Sequence, residues 1–173
     1  IAQKFNNDFN AIDFLKVPEP LIQKQFSRIM SLKDGMKKMS KSDPSDFSRI
    51  NLTDNREEIL NKIKKAKTDP FPLPEEAKDL TKRPEAENLL GIYSSLKNQK
   101  IENSISEFSR KNFSEFKEKL SEALIEKIEP ISKEIKKLVN DEKYLDTILL
   151  EGSVKADKIA SKKIKEIKEL VGF

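Results

Sequence analysis

A long row of apolar residues, spaced by three and four, runs through the second half of this 173-residue sequence and most constrains its fold. The row consists of Phe113, Phe116, Leu120, Leu124, Ile128, Ile131, Ile135 and Leu138. This spacing places the side chains along one face of an α-helix, whereas a half-buried strand would show strict alternation. It therefore predicts a helix over residues 112–139 with a core-facing stripe, which Pro130 should kink or break.

Start signals predict further helices before this row. Asp54 and Glu57 have the spacing of a capping box, which indicates that a helix begins just after residue 50. Pro84 suits the first position of the next helix, because its missing amide hydrogen is not needed there. That helix carries a broad apolar face made of Leu89, Leu90, Ile92, Tyr93 and Leu96. Both segments are predicted to share a helical core with the long row.

The sequence after residue 140 predicts two more helices. Residues 144–149 should form a short helix that stops near Gly152, and Ser153 should cap the last helix. The apolar face of this last helix consists of Ala156, Ala160, Ile164, Ile167 and Val171. Five or six amphipathic helices with short links predict an antiparallel helical bundle of roughly 120 residues.

Residues 1–50 have a different texture from the rest of the chain. Pro18, Pro20, Gly35 and Pro44 interrupt their short apolar pieces, which predicts loops with at most one or two short strands. These residues also carry 9 basic and 6 acidic side chains, against 25 and 24 in the remainder. The change in composition near residue 50 predicts a domain boundary there.

The composition excludes several classes of chemistry. The chain contains no Cys and no His, which rules out a disulfide framework, a thiolate or imidazole metal site, and a Ser-His or Cys-His nucleophile. No run approaches the roughly 18 apolar residues of a membrane-spanning helix, so the sequence predicts no membrane protein. Any chemistry must therefore use Lys, Ser, Asp, Glu or the backbone.

Residues 38–42 spell K-M-S-K-S and are followed by Asp43 and Pro44. A random chain of this composition would contain the string with a probability on the order of one in a thousand. The motif lies in a positive patch formed by Lys33, Lys37, Lys38 and Lys41. Asp34 is the one nearby acid, so the patch would suit a phosphate.

The motif resembles the second signature of the class I aminoacyl-tRNA synthetases, a mobile loop beside the ATP phosphates. Residues 28–32, 83–94 and 151–160 narrow the resemblance to the tryptophanyl enzymes of bacterial type, over essentially the whole chain. By this resemblance, residues 1–50 form the C-terminal end of a Rossmann-type catalytic domain and contain the K-M-S-K-S loop. By the same resemblance, residues 51–173 form an α-helical anticodon-binding domain.

The resemblance also implies roles for individual residues. Lys38 and Lys41 would be catalytic, since ammonium groups stabilise the negative charge that builds up on pyrophosphate, and Lys41 is the stronger candidate. Ser40 and Ser42 would donate hydroxyl hydrogen bonds to phosphate oxygens, and the backbone at Ile29 would lie against the adenine. The predicted nucleotide-binding residues are Ile29, Lys38, Met39, Ser40, Lys41 and Ser42, with Met39 packing rather than reacting.

The implied protein is an ATP-dependent ligase that forms tryptophanyl-adenylate and transfers the tryptophanyl group to its tRNA. Its partners are ATP with accompanying Mg²⁺, tryptophan and tryptophan tRNA, and we expect the full-length protein to be a cytoplasmic homodimer.

The first signature of these enzymes needs a histidine, which this chain lacks. We therefore expect the chain to be the C-terminal half of the enzyme, inactive alone. A fragment of a tyrosyl-tRNA synthetase and a non-enzymatic helical RNA-binding module remain alternatives.

Overall fold

The computed structural model describes residues 1–22 and 26–173, and most of this described chain is helical. The helices are α1 (Ala2–Asp8), α2 (Arg56–Lys65), α3 (Pro84–Leu96), α4 (Ile101–Phe108), α5 (Phe113–Asn140) and α6 (Glu142–Val171). Two strands, β1 (Met30–Ser31) and β2 (Asp34–Lys38), form an antiparallel hairpin, and 3-10 turns cover Asp46–Ser48 and Ala77–Lys82. The predicted mainly α fold, with short strands before residue 50, is confirmed.

The chain divides into two compact units. The first consists of Ile1–Ile22 and Leu138–Phe173, and the second contains the described residues between 26 and 137. The β-hairpin and the main hydrophobic core belong to the second unit. The boundary predicted at residue 50 is a division by role, between a part that binds ATP and a part that binds tRNA. That division stays a prediction.

Three aromatic side chains from α3, α4 and α5 stand at the centre of the core. The ring centroids of Phe108 and Phe116 lie 4.9 Å apart, and those of Tyr93 and Phe108 lie 5.1 Å apart, each pair edge to face. The Tyr93 hydroxyl donates to a carboxylate oxygen of Glu107 at 2.9 Å. Burial, together with this acidic neighbour, raises the pKa of Tyr93 to about 12.

The apolar row of α5 is buried along its first half only. Phe113, Phe116, Leu120, Leu124 and Ile128 are buried, as predicted. Ile131 is 44% exposed, so the buried part of the apolar row ends at Ile128, although Ser132 is buried and donates to the Thr53 carbonyl at 3.1 Å. Pro130 lies inside the continuous helix, so the helix does not break there. Proline has no amide hydrogen for the Glu126 carbonyl one turn earlier, and Glu126 is an exposed residue.

The capping box of α2 lies one residue later than predicted. Asn55, not Asp54, is the N-cap, and its side chain accepts from the Glu58 amide at 3.0 Å. The Glu58 carboxylate accepts in turn from the Asn55 amide at 2.7 Å. Asp54 is instead buried and contacts the ammonium group of Lys62. Helix α3 begins at Pro84, as predicted.

The two C-terminal helices that the sequence predicted are one helix. α6 runs through Gly152, so the predicted stop and the predicted Ser153 cap are wrong. Glycine inside an exposed helix costs only about 1 kcal/mol relative to alanine, which the remaining helical hydrogen bonds outweigh. The true boundaries have caps of their own: Asp141 accepts from the Tyr144 amide at 3.1 Å, and Gly172 adopts a left-handed conformation with φ of 90°.

In the first unit, the side chain of Asn6 on α1 ties down the chain that follows. It donates to the Leu15 carbonyl at 2.8 Å and accepts from the Leu15 amide at 2.9 Å. The ring centroid of Phe5 lies 4.7 Å from that of Phe9 and 6.0 Å from that of Phe14. Across residues 1–22 and 26–173, no helix combines the length and the apolar character needed to cross a bilayer.

Candidate functional site

The candidate site is built on the β1–β2 hairpin. Met30 lies opposite Lys38 in the antiparallel register. The turn between the strands buries Leu32 in the core. The Leu32 amide donates to the Ser48 carbonyl at 2.9 Å, and its carbonyl accepts from the Lys67 amide at 2.7 Å. The hairpin is therefore fixed at its tip, while its open end carries the K-M-S-K-S motif.

The motif begins at the last residue of β2, Lys38, and continues into the loop beyond. The Met39 amide donates to the Ile29 carbonyl at 3.0 Å, so the motif contacts the predicted adenine-binding backbone directly. The Met39 side chain packs against the core, as expected. The hydroxyl oxygens of Ser40 and Ser42 are 3.0 Å apart, and the Ser40 hydroxyl accepts from the Ser42 amide at 3.3 Å.

The two motif lysines present their ammonium groups to solvent. Lys38 and Lys41 are both exposed, and neither forms an ion pair with any side chain in the described part of the chain. Asp34, the one acid of the predicted positive patch, lies 3.8 Å from the Lys37 ammonium group instead. The arrangement leaves two unneutralised cations, one at the end of β2 and one on the loop that follows, which favours an anionic ligand.

A buried side chain of α3 fixes the strand that leads into the site. Asn88 accepts from the Met30 amide at 2.8 Å and donates to the Met30 carbonyl at 2.9 Å. These two hydrogen bonds satisfy the backbone of β1 on the side away from β2 and hold Ile29 next to helix α3. Sequence reasoning missed Asn88, although a polar residue inside the apolar face of α3, next to Leu89, was a usable signal.

Gly35 lets β2 approach the first turn of α3. A β-carbon at position 35 would lie 2.6 Å from the Pro84 carbonyl carbon and 2.7 Å from the Glu85 amide nitrogen. Both are backbone atoms that cannot turn aside. Glu85 also pairs with Lys67 at 2.8 Å, and this hydrogen bond, against the effect of partial burial, lowers the pKa of Glu85.

Gly35→Ala is expected to destabilise the 173-residue chain by about 1–3 kcal/mol, because the added methyl group forces the hairpin away from α3. Urea unfolding followed by far-UV circular dichroism measures the change. Gly152→Ala is the matched control, since a β-carbon there meets nothing within 4 Å. That control should stabilise the chain by about 0.4–1 kcal/mol. Equal effects of the two substitutions would contradict the close-approach explanation.

A cavity of about 500 Å³ adjoins the hairpin on the side of α3. Arg28, Met30, Thr81 and Asn88 contribute to its lining. The motif residues do not line it, because they lie on the open end of the hairpin. The candidate phosphate site is therefore a surface loop that stands apart from this cavity.

The chemistry that the candidate site offers is cationic and hydroxylic. It brings together two free ammonium groups, two serine hydroxyls and the Ile29 backbone, all within one hairpin and its loop. Over the described ranges 1–22 and 26–173, no cluster of three or more acidic side chains is arranged to hold a metal ion. The Mg²⁺ expected to accompany ATP stays a prediction.

Comparison with known proteins finds a matching protein family and similar individual proteins. Residues 1–129 match the family model described as tRNA synthetases class I (W and Y). The tryptophan–tRNA ligase of Caulobacter vibrioides is 48% identical over all 173 residues, which cover 50% of that protein. The tryptophan–tRNA ligase of Rickettsia conorii is 49% identical over the same length, which covers 52% of that protein. The chain thus spans about half the length of the curated relatives it matches.

Solved structures share the fold. The tryptophanyl-tRNA synthetase of Mycoplasma pneumoniae superposes with a TM-score of 0.80 at 25% identity, over 99% of this chain and 51% of that one. The tryptophanyl-tRNA synthetase of Campylobacter jejuni, crystallised with ADP and tryptophan, superposes with a TM-score of 0.66 at 21% identity, over 99% and 51%. The second likeness is a likeness of fold alone.

Proposed function

Because the chain belongs to the class I tRNA synthetases of the W and Y type, we propose that it provides the phosphate loop and the tRNA-binding helices of a tryptophan–tRNA ligase. The observation that carries this proposal is the pair of exposed ammonium groups, Lys38 and Lys41, on a loop whose base is fixed to the core. Tryptophan is favoured over tyrosine because the similar curated proteins are tryptophan–tRNA ligases.

In the proposed reaction, a carboxylate oxygen of tryptophan attacks the α-phosphorus of ATP. A new bond forms between that oxygen and phosphorus, and the bond from the α-phosphorus to the bridging oxygen breaks. Pyrophosphate leaves with the electron pair, and negative charge accumulates on it. Lys38 and Lys41 stabilise this charge in the transition state, where it is larger than in bound ATP. Mg²⁺ accompanies the ATP phosphates.

The remaining motif residues orient the nucleotide. The hydroxyls of Ser40 and Ser42 donate to phosphate oxygens, in exchange for the contact that they make with each other. The backbone at Ile29 lies against the adenine, one hydrogen bond away from Met39. In the second step, the tryptophanyl group passes from the adenylate to the terminal ribose of the tRNA.

The proposal divides the chain by role at residue 50. Residues 1–50 serve ATP, as the end of a Rossmann-type catalytic domain, and residues 51–173 serve the anticodon side of the tRNA. The near balance of 25 basic and 24 acidic side chains in the second part supports recognition of unstacked bases rather than a general attraction to phosphate. The cytoplasmic location and the homodimer stay predictions.

Amino-acid-dependent exchange of pyrophosphate into ATP tests the proposed function. The full-length ligase should catalyse the exchange with tryptophan and not with tyrosine, whereas the 173-residue chain alone should catalyse neither. Exchange with tyrosine alone would support the tyrosyl alternative. Binding of tRNA without any exchange by the full-length protein would support the non-enzymatic RNA-binding module and contradict the ligase.

A further inference from the structure

The chain that follows the K-M-S-K-S motif folds back onto itself through one arginine. Arg49 donates to the Asp43 carbonyl at 2.9 Å, and its guanidinium group also lies 3.0 Å from the Asp46 carboxylate. The Asp43 side chain accepts from the Ser45 amide at 2.8 Å, which closes the turn after the motif. Asp43 lies two residues after Lys41, so this turn follows directly on the motif's second lysine.

A buried lysine on α2 forms an ion pair with the residue that follows this turn. The Lys62 ammonium nitrogen lies 2.6 Å from a carboxylate oxygen of Asp46 and 2.6 Å from one of Asp54. The Lys62 side chain is only 5% exposed. A second contact joins the same two elements, since the Lys65 ammonium nitrogen lies 4.4 Å from the centre of the Phe47 ring. Helix α2 therefore contacts the turn through two cationic side chains.

The charges in this cluster are mutually dependent. Burial disfavours the charged form of Lys62, but the hydrogen bonds to Asp46 and Asp54 outweigh it and raise the pKa of Lys62. The hydrogen bond from Lys62, followed by one from Asn51, lowers the pKa of Asp46. Lys62 is therefore charged at neutral pH and needs its acidic partners, because an unpaired buried charge is strongly unfavourable.

We propose that Lys62 is a positioning residue for the adenylation reaction, which it serves by holding the K-M-S-K-S loop in place through Asp46. The chain of contacts runs from Lys62 to Asp46, from Asp46 to Arg49, and from Arg49 to the Asp43 carbonyl. It ends two residues from Lys41. The inference rests on the proposed function, since it assigns the cluster a role in the same reaction.

The two ion pairs of Lys62 serve different purposes. Asp54 belongs to the segment that leads into α2, and it accepts from the Asn51 amide at 2.9 Å. The Lys62–Asp54 pair therefore stabilises the local fold. Asp46 reaches the loop and is 54% exposed, and without it Lys62 keeps Asp54, Arg49 keeps the Asp43 carbonyl and Asn51 keeps Asp54. Asp46→Ala therefore removes the ion pair that joins Lys62 to the turn, while the buried Lys62–Asp54 pair remains.

The test measures the single-turnover rate of tryptophanyl-adenylate formation in the full-length ligase. Asp46→Ala should slow this rate about tenfold, as expected for a slightly misplaced catalytic group, and leave the tryptophan dissociation constant and the melting temperature nearly unchanged. In a Lys41→Ala background, the same substitution should slow the rate less than threefold, because the lysine that Lys62 positions is gone. Asp8→Ala is the matched control, since Asp8 is 50% exposed and pairs with Lys4 at 2.6 Å.

Lys62→Met gives a second, independent measurement. It should lower the melting temperature because Asp54 loses its cation, and adding Asp46→Ala to it should not slow the reaction further. An equal rate loss from Asp46→Ala with and without Lys41, or no loss in an active enzyme, would overturn the positioning role alone. An unmodified full-length protein without tryptophan-dependent exchange would overturn the proposed function and this role together.

Discussion

Replacing Lys41 with alanine in the full-length ligase should slow tryptophanyl-adenylate formation by about 10²–10³-fold, with little change in the affinity for tryptophan. Lys41 is exposed and has no ion pair among the described residues, so under the proposed function its charge is available to the leaving pyrophosphate rather than to the fold. A group that acts mainly in the transition state lowers the rate of the chemical step and leaves ground-state binding intact.

Rapid-quench measurement of adenylate formation, with a separate titration of tryptophan, distinguishes these two effects. Lys136→Ala is the control, because Lys136 is an exposed lysine on α5 that lies outside the motif. It should leave both quantities unchanged. If Lys41→Ala mainly weakened tryptophan binding, the assignment of Lys41 to pyrophosphate stabilisation would be wrong.

Phe116→Ala should destabilise the 173-residue chain by about 3–5 kcal/mol, which is a large part of the stability of an ordinary domain. The Phe116 side chain is fully buried, and its ring contacts those of Phe108 and Tyr93, with centroids 4.9 and 5.9 Å away. The substitution removes the aromatic ring where α3, α4 and α5 meet and leaves a cavity that these helices can fill only in part.

Urea unfolding followed by far-UV circular dichroism measures this loss. Phe173→Ala is the matched control, because Phe173 is 94% exposed and should change stability by less than about 0.5 kcal/mol. Comparable losses from the two substitutions would show that the aromatic cluster does not hold the core together.

The helices could be predicted because their apolar spacing is a local property of the sequence. The α5 row shows both the strength and the limit of this reasoning. The spacing identifies one face of a helix, but it does not reveal how far along that face another element covers it. The buried part of the apolar row ends at Ile128, because Ile131 is 44% exposed, although the neighbouring Ser132 is still buried. Only the tertiary structure contains that information.

Helix ends were predicted less well because several residues compete for the same role. Asp54 and Asn55 are both good N-caps, and each has a glutamate three residues later. The choice between them depends on Lys62, eight residues after Asp54, which requires a buried acidic partner. Gly152 lies inside α6, where a β-carbon would meet nothing within 4 Å, so no close approach requires glycine there. Glycine there has a small cost and no alternative structure to favour.

The motif could be found from the sequence, whereas the contacts that hold it in place could not. K-M-S-K-S is contiguous, and its lysines and serines suggest their chemistry without reference to the rest of the chain. Asn88 contacts a backbone 58 residues away, and Lys62 contacts a carboxylate 16 residues away. Such partners are ordinary polar residues until the fold brings them together, and a single sequence gives no signal of the pairing.

The hydrogen bond from the Met39 amide to the Ile29 carbonyl fixes the distance between these two segments through main-chain atoms alone. Under the proposed function, it fixes the distance between the adenine contact and the phosphate contact. That distance has to match the separation between the adenine and the phosphates of ATP. Main-chain atoms are common to nearly all amino acids, so the side chain at position 29, which is 42% exposed, is free to vary while the spacing stays constant. Tolerance to substitution at this position would therefore reflect a strict requirement on the backbone, not the absence of a role.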